Sequence, residues 1–150
     1  MIYLERPPGF DTKLHVSSCY IQVGRVFLFL HRHPDIIEGG KWGIPAGKGE
    51  EEECALDAVM REVLQETGIR LTRNEVWYAA TVFIRYPEFD FAYHMFWVRL
   101  VEKPEVVLNP KEGVDFRWIT LDEALSLDLI RDEDGCIRIF QEFLAQKAVR

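Results

Sequence analysis

The sequence predicts an α/β fold, one domain over residues 1–150 in which helices and strands are mixed. Three observations carry that expectation. LHVSSCYIQV (14–23) and RVFLFLHRH (25–33) are rich in β-branched and aromatic residues and are divided at Gly24, the pattern of paired strands. From about Glu51 to Thr67 the apolar spacing changes to that of a helix. EVWYAATVFIRY (75–86) and FAYHMFWVRL (91–100) then return to strand composition around a turn at Pro87–Asp90. A chain of 150 residues can bury its own core without staples, and no repeat, low-complexity tract or linker divides it.

Each element has a local reason. The opening MIYLERPPGF carries acid and proline where a signal peptide needs an apolar run, and no apolar stretch reaches bilayer length, so a cytoplasmic location is expected. Gly24 suits a tight turn over Gln22–Arg25 between the first two strands. HPDIIEGGKWGIPAGKGEEE (33–52) is dense in Gly and Pro without a steady period, and its bulky Trp42, Ile44 and Pro45 favour a shaped, functional loop over a disordered one. On a helical wheel, Ala55, Leu56, Val59, Met60, Val63 and Leu64 fill one half, and Asp57, Ala58, Arg61, Glu62 and Gln65 the other, with Glu66 at the boundary. The acids Glu50 to Glu53 suit that helix's N-terminus, and Gly68 stands where a left-handed C-terminal cap belongs. VDFRWIT (114–120) reads as a short strand and LDEALSL (121–127) as a short helix. CIRIFQEFLAQKAV (136–149) carries a helical stripe of Ile137, Phe140, Phe143 and Leu144.

Composition narrows the function. Hydrophobic residues make up 48% and charged residues 29%, ordinary globular usage. A formal charge of -7 argues against a broad, sequence-independent grip on nucleic acid, and an anionic substrate would need help from a cation. Cys19, Cys54 and Cys136 are odd in number and widely spaced, and they read as reduced packing residues.

The chemistry concentrates in REVLQETGI (61–69). Glu62 and Glu66 are one helical turn apart, at about 5–6 Å between Cβ atoms, and repel each other unless a positive charge lies between them. Two readings fit: a solvated acidic face, or a site for a hard divalent cation, which prefers carboxylates, water and substrate phosphates. The short Ala55 and Ala58 leave an open shelf that the first reading does not need. Arg61 suits either an exposed arginine or one that clamps an acid of the preceding loop. Gly47 and Gly49 are either turn residues or places where backbone approaches a phosphate.

Gly47, Glu53, Arg61, Glu62, Val63, Glu66, Gly68 and Ile69, in their spacing, resemble the signature box of the Nudix (MutT-like) hydrolases, with Gln65 as the one departure. WGIPAG (42–47) resembles the approach to that box, and KEGVDFRWITLDEAL (111–125) the acid, Trp and short helix that close many members. The resemblance implies an α/β/α sandwich with a mixed sheet and Mg2+- or Mn2+-dependent hydrolysis of a nucleoside diphosphate linked to another group. It implies that Glu62 and Glu66 are metal ligands, that Arg61 and Glu53 orient loop and helix, and that Gly47 and Gly68 shape the ends. Glu112, six residues before Trp118, matches a loop acid that serves some members as a further ligand or general base, and it equally suits a solvated surface glutamate. Gln65 replaces a usual glutamate, so the site is one charge poorer, since an amide binds Mg2+ less well and is no base near neutral pH.

Cations near the loop, Arg25, Arg32, Lys41 and Lys48, are candidates to meet phosphates, or serve solubility alone. Trp42, Tyr86, Phe89 and Tyr93 are candidates to stack on a base, though most strand aromatics belong to the core. The expected partner is a small nucleotide: a nucleoside triphosphate, a nucleotide sugar or a dinucleoside polyphosphate. A nucleotide-sensing module without turnover, suggested by Gln65, and an RNA 5′-end pyrophosphohydrolase are the alternatives. No extended nucleic acid or membrane partner is expected, and the chain is expected to be a monomer or homodimer.

Overall fold

A computed structural model of the chain describes residues 1–148. The strands are β1 (Ile2–Tyr3), β2 (Thr12–Val23), β3 (Val26–Arg32), β4 (Trp42–Gly43), β5 (Ala46–Lys48), β6 (Val76–Arg85), β7 (Asp90–Leu100) and β8 (Gly113–Ile119). The helices are α1 (Ala55–Thr67), α2 (Leu121–Ala124) and α3 (Glu133–Ala148). Residue 149 of the expected last helix lies outside the described residues.

One mixed sheet runs β1-β6-β7-β2-β3-β4, with β5 added to β2 and β8 to β3. β2 and β7 pair in parallel from Leu14 opposite Phe91 to Val23 opposite Leu100, while the other named pairs are antiparallel. The β2–β3 hairpin closes through Gly24 at φ 59°, the conformation a two-residue turn needs at its first central position.

Both faces of the sheet are buried, which explains why VFLFL runs apolar without alternation. Cys19, Ile21, Leu28, Leu30, Phe96 and Val98 point to one face and pack under Val59 and Val63 of α1. Tyr20, Phe27, Phe29, Val82, Ile84 and Met95 point to the other and pack under Ile137 and Phe140 of α3. The expected stripe on α3 is there, with Phe143 and Leu144 partly buried beside it. Among the described residues, no helix is long and apolar enough to cross a membrane.

Two expectations about α1 need correction. It begins at Ala55, capped by Cys54 Sγ accepting from the Asp57 N–H at 3.5 Å, and Glu50 to Glu53 form a separate turn before it. The turn closes on itself, the Glu50 N–H donating to Glu53 Oε1 at 2.9 Å and the Glu53 N–H to the Glu50 carbonyl at 3.1 Å. The wheel is also rotated: Ala58 is 1% exposed and Leu64 37% exposed. The cause is β5, which packs against the flank of α1 that carries Ala58 and Glu62. At the other end the expected cap holds, Gly68 at φ 73° donating to the Leu64 carbonyl at 2.9 Å.

Candidate active site

The turn before α1 and the second turn of the helix meet at Arg61. Its Nε and Nη2 donate to the two oxygens of Glu53, each at 2.9 Å, and Nη2 also donates to the Lys48 carbonyl at 3.0 Å. Nη1 donates to Glu62 Oε1 at 2.7 Å. A planar guanidinium presents its donors in a fixed fork, so one side chain ties the loop, β5 and α1 together. The Arg61 hydrogen bonds, and after them the Glu50 N–H, hold the Glu53 carboxyl down at about 2.

Glu62 and Glu66 project from successive turns of α1 toward β5. Glu66 Oε2 accepts the Ala46 N–H at 3.2 Å. Burial raises the pKa of Glu66 well above the ordinary carboxyl range; Glu62 and Glu112 add to the rise, and the Ala46 N–H and the Arg32 charge oppose it. Burial also raises Glu62, with Arg61 as the main opposing influence and Glu112 again on the raising side. Three carboxylates therefore share one region, and among the described residues only Glu62 of the three has a cation bonded to it. Among the described residues, no group of three His, Cys, Asp or Glu side chains is already closed around an ion position. Arg61 accounts for part of that by turning Glu62 Oε1 away. The donor set is all carboxylate oxygen, held at a cost in charge repulsion and desolvation, and its chemistry fits a hard divalent cation.

Gly47 explains how the acid comes so close to β5. A Cβ there would land on the Glu62 carboxyl group, with Glu62 Cγ only 2.5 Å away. Gly47→Ala is expected to keep the fold and push Glu62 aside, lowering kcat/KM by about tenfold or more, on the scale of small misplacements of catalytic groups. Steady-state kinetics beside an unchanged thermal melt would show it; an unchanged kcat/KM would mean that the placement of Glu62 is not critical.

Other singled-out residues fall into three groups. Arg32 donates from Nε and Nη2 to the Ile37 carbonyl at 3.0 and 2.7 Å, and its charge reaches Glu66. Lys48 is exposed beside the Arg61 clamp, and Glu112 is exposed on a turn whose carbonyl accepts the His33 N–H at 2.8 Å. Gln65 is exposed too, its amide oxygen 3.4 Å from Arg61 Nη1, so it stands on the rim beside the clamp.

Away from the acids, Lys41 pairs with Glu38 at 3.0 Å. Arg25 sits at the opposite end of β3 from Arg32, about 20 Å along the strand. The aromatics are mostly engaged within the fold. Trp42 is 6% exposed, its ring stacked on His31 at 4.5 Å and with the Arg117 guanidinium 4.7 Å from its centroid, so it is buried among protein groups. Tyr93 is buried in the core, and Tyr86 lies under Arg131 at 3.9 Å. Phe89 packs edgewise on Tyr86 and tilted against Phe91, and alone of the four it is exposed.

Sequence reasoning missed two participants, the Ala46 N–H and the Lys48 carbonyl, and a buried acid outside the cluster, Glu133. The first two are backbone groups, which residue type does not reveal. Glu133 sits in RDEDG, three residues before the expected helix start, yet it opens α3 and is buried, with Gly43 beside it and, among the described residues, no hydrogen-bond partner for Oε1.

The chain has known relatives in sequence and in fold. The family model described as the NUDIX domain matches residues 14–139. An RNA pyrophosphohydrolase of Bartonella tribocorum is 28% identical over 145 residues, covering 82% of this chain and 81% of that protein. The crystal structure of a MutT protein from Methanosarcina mazei superposes with a TM-score of 0.74 at 24% identity, covering 89% of this chain and 94% of that one. A C. elegans Ap4A hydrolase superposes with a TM-score of 0.71 at 19% identity, covering 89% and 98%. With the box residues gathered as described and the family match spanning most of its length, the chain belongs to the Nudix (MutT-like) family of pyrophosphohydrolases.

Proposed function

We propose that this protein hydrolyses a diphosphate linkage in a small nucleotide, with Glu62, Glu66 and Glu112 holding Mg2+, or Mn2+ in its place. The observation that carries the reading is the gathering of three carboxylates around Glu66, a partly enclosed acid with one N–H donor and no bonded cation. Hydrolases of this family use divalent metals, and a bound ion would neutralise phosphate charge and make an attacking water more acidic. Arg61 and Glu53 fix Glu62 from behind, leaving Glu62 Oε2 toward Gly47. Ala46 fixes Glu66. Glu112, the most accessible of the three, is placed to take a proton from water. Arg32 and Lys48 are the cations nearest these acids along β3 and β5 and would meet the phosphates, while the shortened Gly47 side lets the chain approach them.

The substrate classes are nucleoside triphosphates, nucleotide sugars and dinucleoside polyphosphates; similarity to an Ap4A hydrolase supports the last. A second reading, removal of pyrophosphate from RNA 5′ ends, is favoured by the Bartonella relative and opposed by the net charge of -7. Mass-spectrometric product analysis with Mg2+ and a panel of these nucleotides, ADP-ribose and a 5′-triphosphorylated oligoribonucleotide tests both. Turnover of one class names the substrate. Binding without turnover of any class would replace the hydrolase reading by a sensing role, the outcome to which the neutral Gln65 points.

Two substitutions accompany that panel. Gln65→Glu adds a carboxylate on the exposed rim and is expected to preserve or raise kcat. Glu112→Gln is expected to lower kcat by about a hundredfold, the scale of general-base catalysis. A Glu112→Gln profile that overlays the parent at every pH would remove Glu112 from the base role.

A further inference from the structure

We propose that His15 and His94 act as one proton-accepting unit whose charge answers to the acidic turn before α1, making that turn responsive to pH. On the face of the sheet that carries α1, three neighbouring strands align a polar chain. Tyr78 Oη lies 2.7 Å from Thr81 Oγ1 on β6, and Thr81 Oγ1 lies 2.8 Å from His94 Nδ1 on β7. His94 Nε2 lies 2.9 Å from His15 Nδ1 on β2. The two rings are nearly parallel, 9° apart with centroids at 5.2 Å.

With both rings neutral the chain keeps every contact in either of two polarities, because each ring has two tautomers. In one, the Tyr78 hydroxyl donates to Thr81, the Thr81 hydroxyl to His94 Nδ1, and His94 Nε2–H to His15 Nδ1. One added proton also leaves every contact made, with His15 doubly protonated and the chain running toward Tyr78. His15 Nδ1–H then donates to His94 Nε2, His94 Nδ1–H to Thr81, and Thr81 to Tyr78, whose own proton turns to water. A second proton would set N–H against N–H and break the chain. In keeping with this, burial and then His15 hold His94 below the ordinary histidine range.

The pair forms one wall of a cleft of about 520 Å³ whose opposite wall is Gly49 to Glu53. Charges facing it are few. Lys13 on β2 is engaged by Asp11 at 2.7 Å, Glu53 is committed to Arg61, and Glu50 Oε1 lies 3.8 Å from Arg61 Nε. α1 presents only Ala55 and Ala58 to the cleft, and β6 adds the Tyr78 hydroxyl at the far end of the chain. Among the described residues Glu51 and Glu52 make no ion pair, so they are the acids left to balance a charge on the pair. Protonation draws this turn toward the sheet; because Glu53 holds Arg61 and Arg61 holds Glu62, the ordering reaches the candidate site. The inference does not depend on the substrate or metal reading.

The test is a pH titration of the full chain by long-range proton–nitrogen NMR of the imidazoles, with His31 and His33 as internal references. Expected is one proton taken up by the pair, with His15 and His94 signals sharing a midpoint and the Gly49–Glu53 amides moving with it. Glu51→Gln with Glu52→Gln is expected to lower that midpoint by a few tenths of a pH unit. Thr81→Val is expected to separate the two histidine midpoints, and Thr81→Ser to restore them. Independent titration of His15 and His94 in the parent chain overturns the proposal, as do Gly49–Glu53 amides that stay still through the midpoint. The parent titration decides even if Thr81→Val does not fold.

Discussion

Glu66→Gln is expected to lower metal-dependent turnover by at least about a hundredfold, some 3 kcal/mol of transition-state stabilisation, while leaving the protein as stable as before or more so without metal. The two effects have one cause. In the metal-free chain Glu66 is an acid whose charge is opposed by burial and by Glu62 and Glu112, and the Ala46 N–H and Arg32 only partly offset them. An amide of the same shape keeps an oxygen for Ala46 and carries no charge, so the repulsion disappears along with a metal ligand. A residue of purely structural value would lose stability and activity together. The measurement pairs steady-state kinetics with thermal melts at rising Mg2+ or Mn2+. The parent melt should climb with metal and the variant's should not, because only a state that binds the ion is stabilised by it. Parent-like turnover in Glu66→Gln would end the metal assignment, whatever the melts show.

The sequence made the chemistry legible where side chains of fixed type act at fixed spacing. Arg61 and Glu53 are eight residues apart, and the structure joins them by two hydrogen bonds, because a loop of that length returns an acid to the second turn of the helix. The paired strands, the cap at Gly68 and the stripe on α3 were likewise local signals. What stayed hidden depends on what packs from a distance. Helical periodicity assumes that the sheet lies squarely under the apolar half of the wheel; β5, added to β2, lies under the flank that carries Ala58 and buries it while leaving Leu64 at the surface. The acidic run Glu50–Glu53 has the composition of a helix start, but Cys54 takes the cap and the acids build the turn that presents Glu53. Trp42 has the composition of a base-stacking residue. His31 and Arg117, from β3 and β8, already pack against its ring and leave it buried.

Glu133 is the residue for which sequence and structure disagree most, and it leads to the second large expected effect. It opens α3, is 6% exposed, and its pKa is pushed up to about 8 by burial first and the Asp134 charge second, with Arg32 opposing. An ordinary glutamate in the unfolded chain titrates near 4.3. Between those values the folded protein keeps a proton that the unfolded chain has released, so stability falls as pH rises through this window. Below it the acid costs little; above about pH 8 the full cost of an ionised, buried carboxylate is present. At 1.36 kcal/mol per pH unit the ceiling is about 5 kcal/mol, and relaxation around α3 reduces it to a few. Glu133→Gln removes the proton and with it this residue's share of the slope. Urea denaturation of both proteins from pH 5 to 9 should give similar stabilities at the acid end and a variant that grows steadily more stable than the parent toward pH 9. Parallel stability curves would mean that Glu133 is hydrated or paired in solution and pays no such penalty. Tyr20→Phe isolates the neighbouring group: the Tyr20 hydroxyl is buried without a hydrogen-bond partner, so its removal should change stability little at any pH. A large loss in Tyr20→Phe would place a shared water between it and Glu133, and would then explain a shallow slope in the parent.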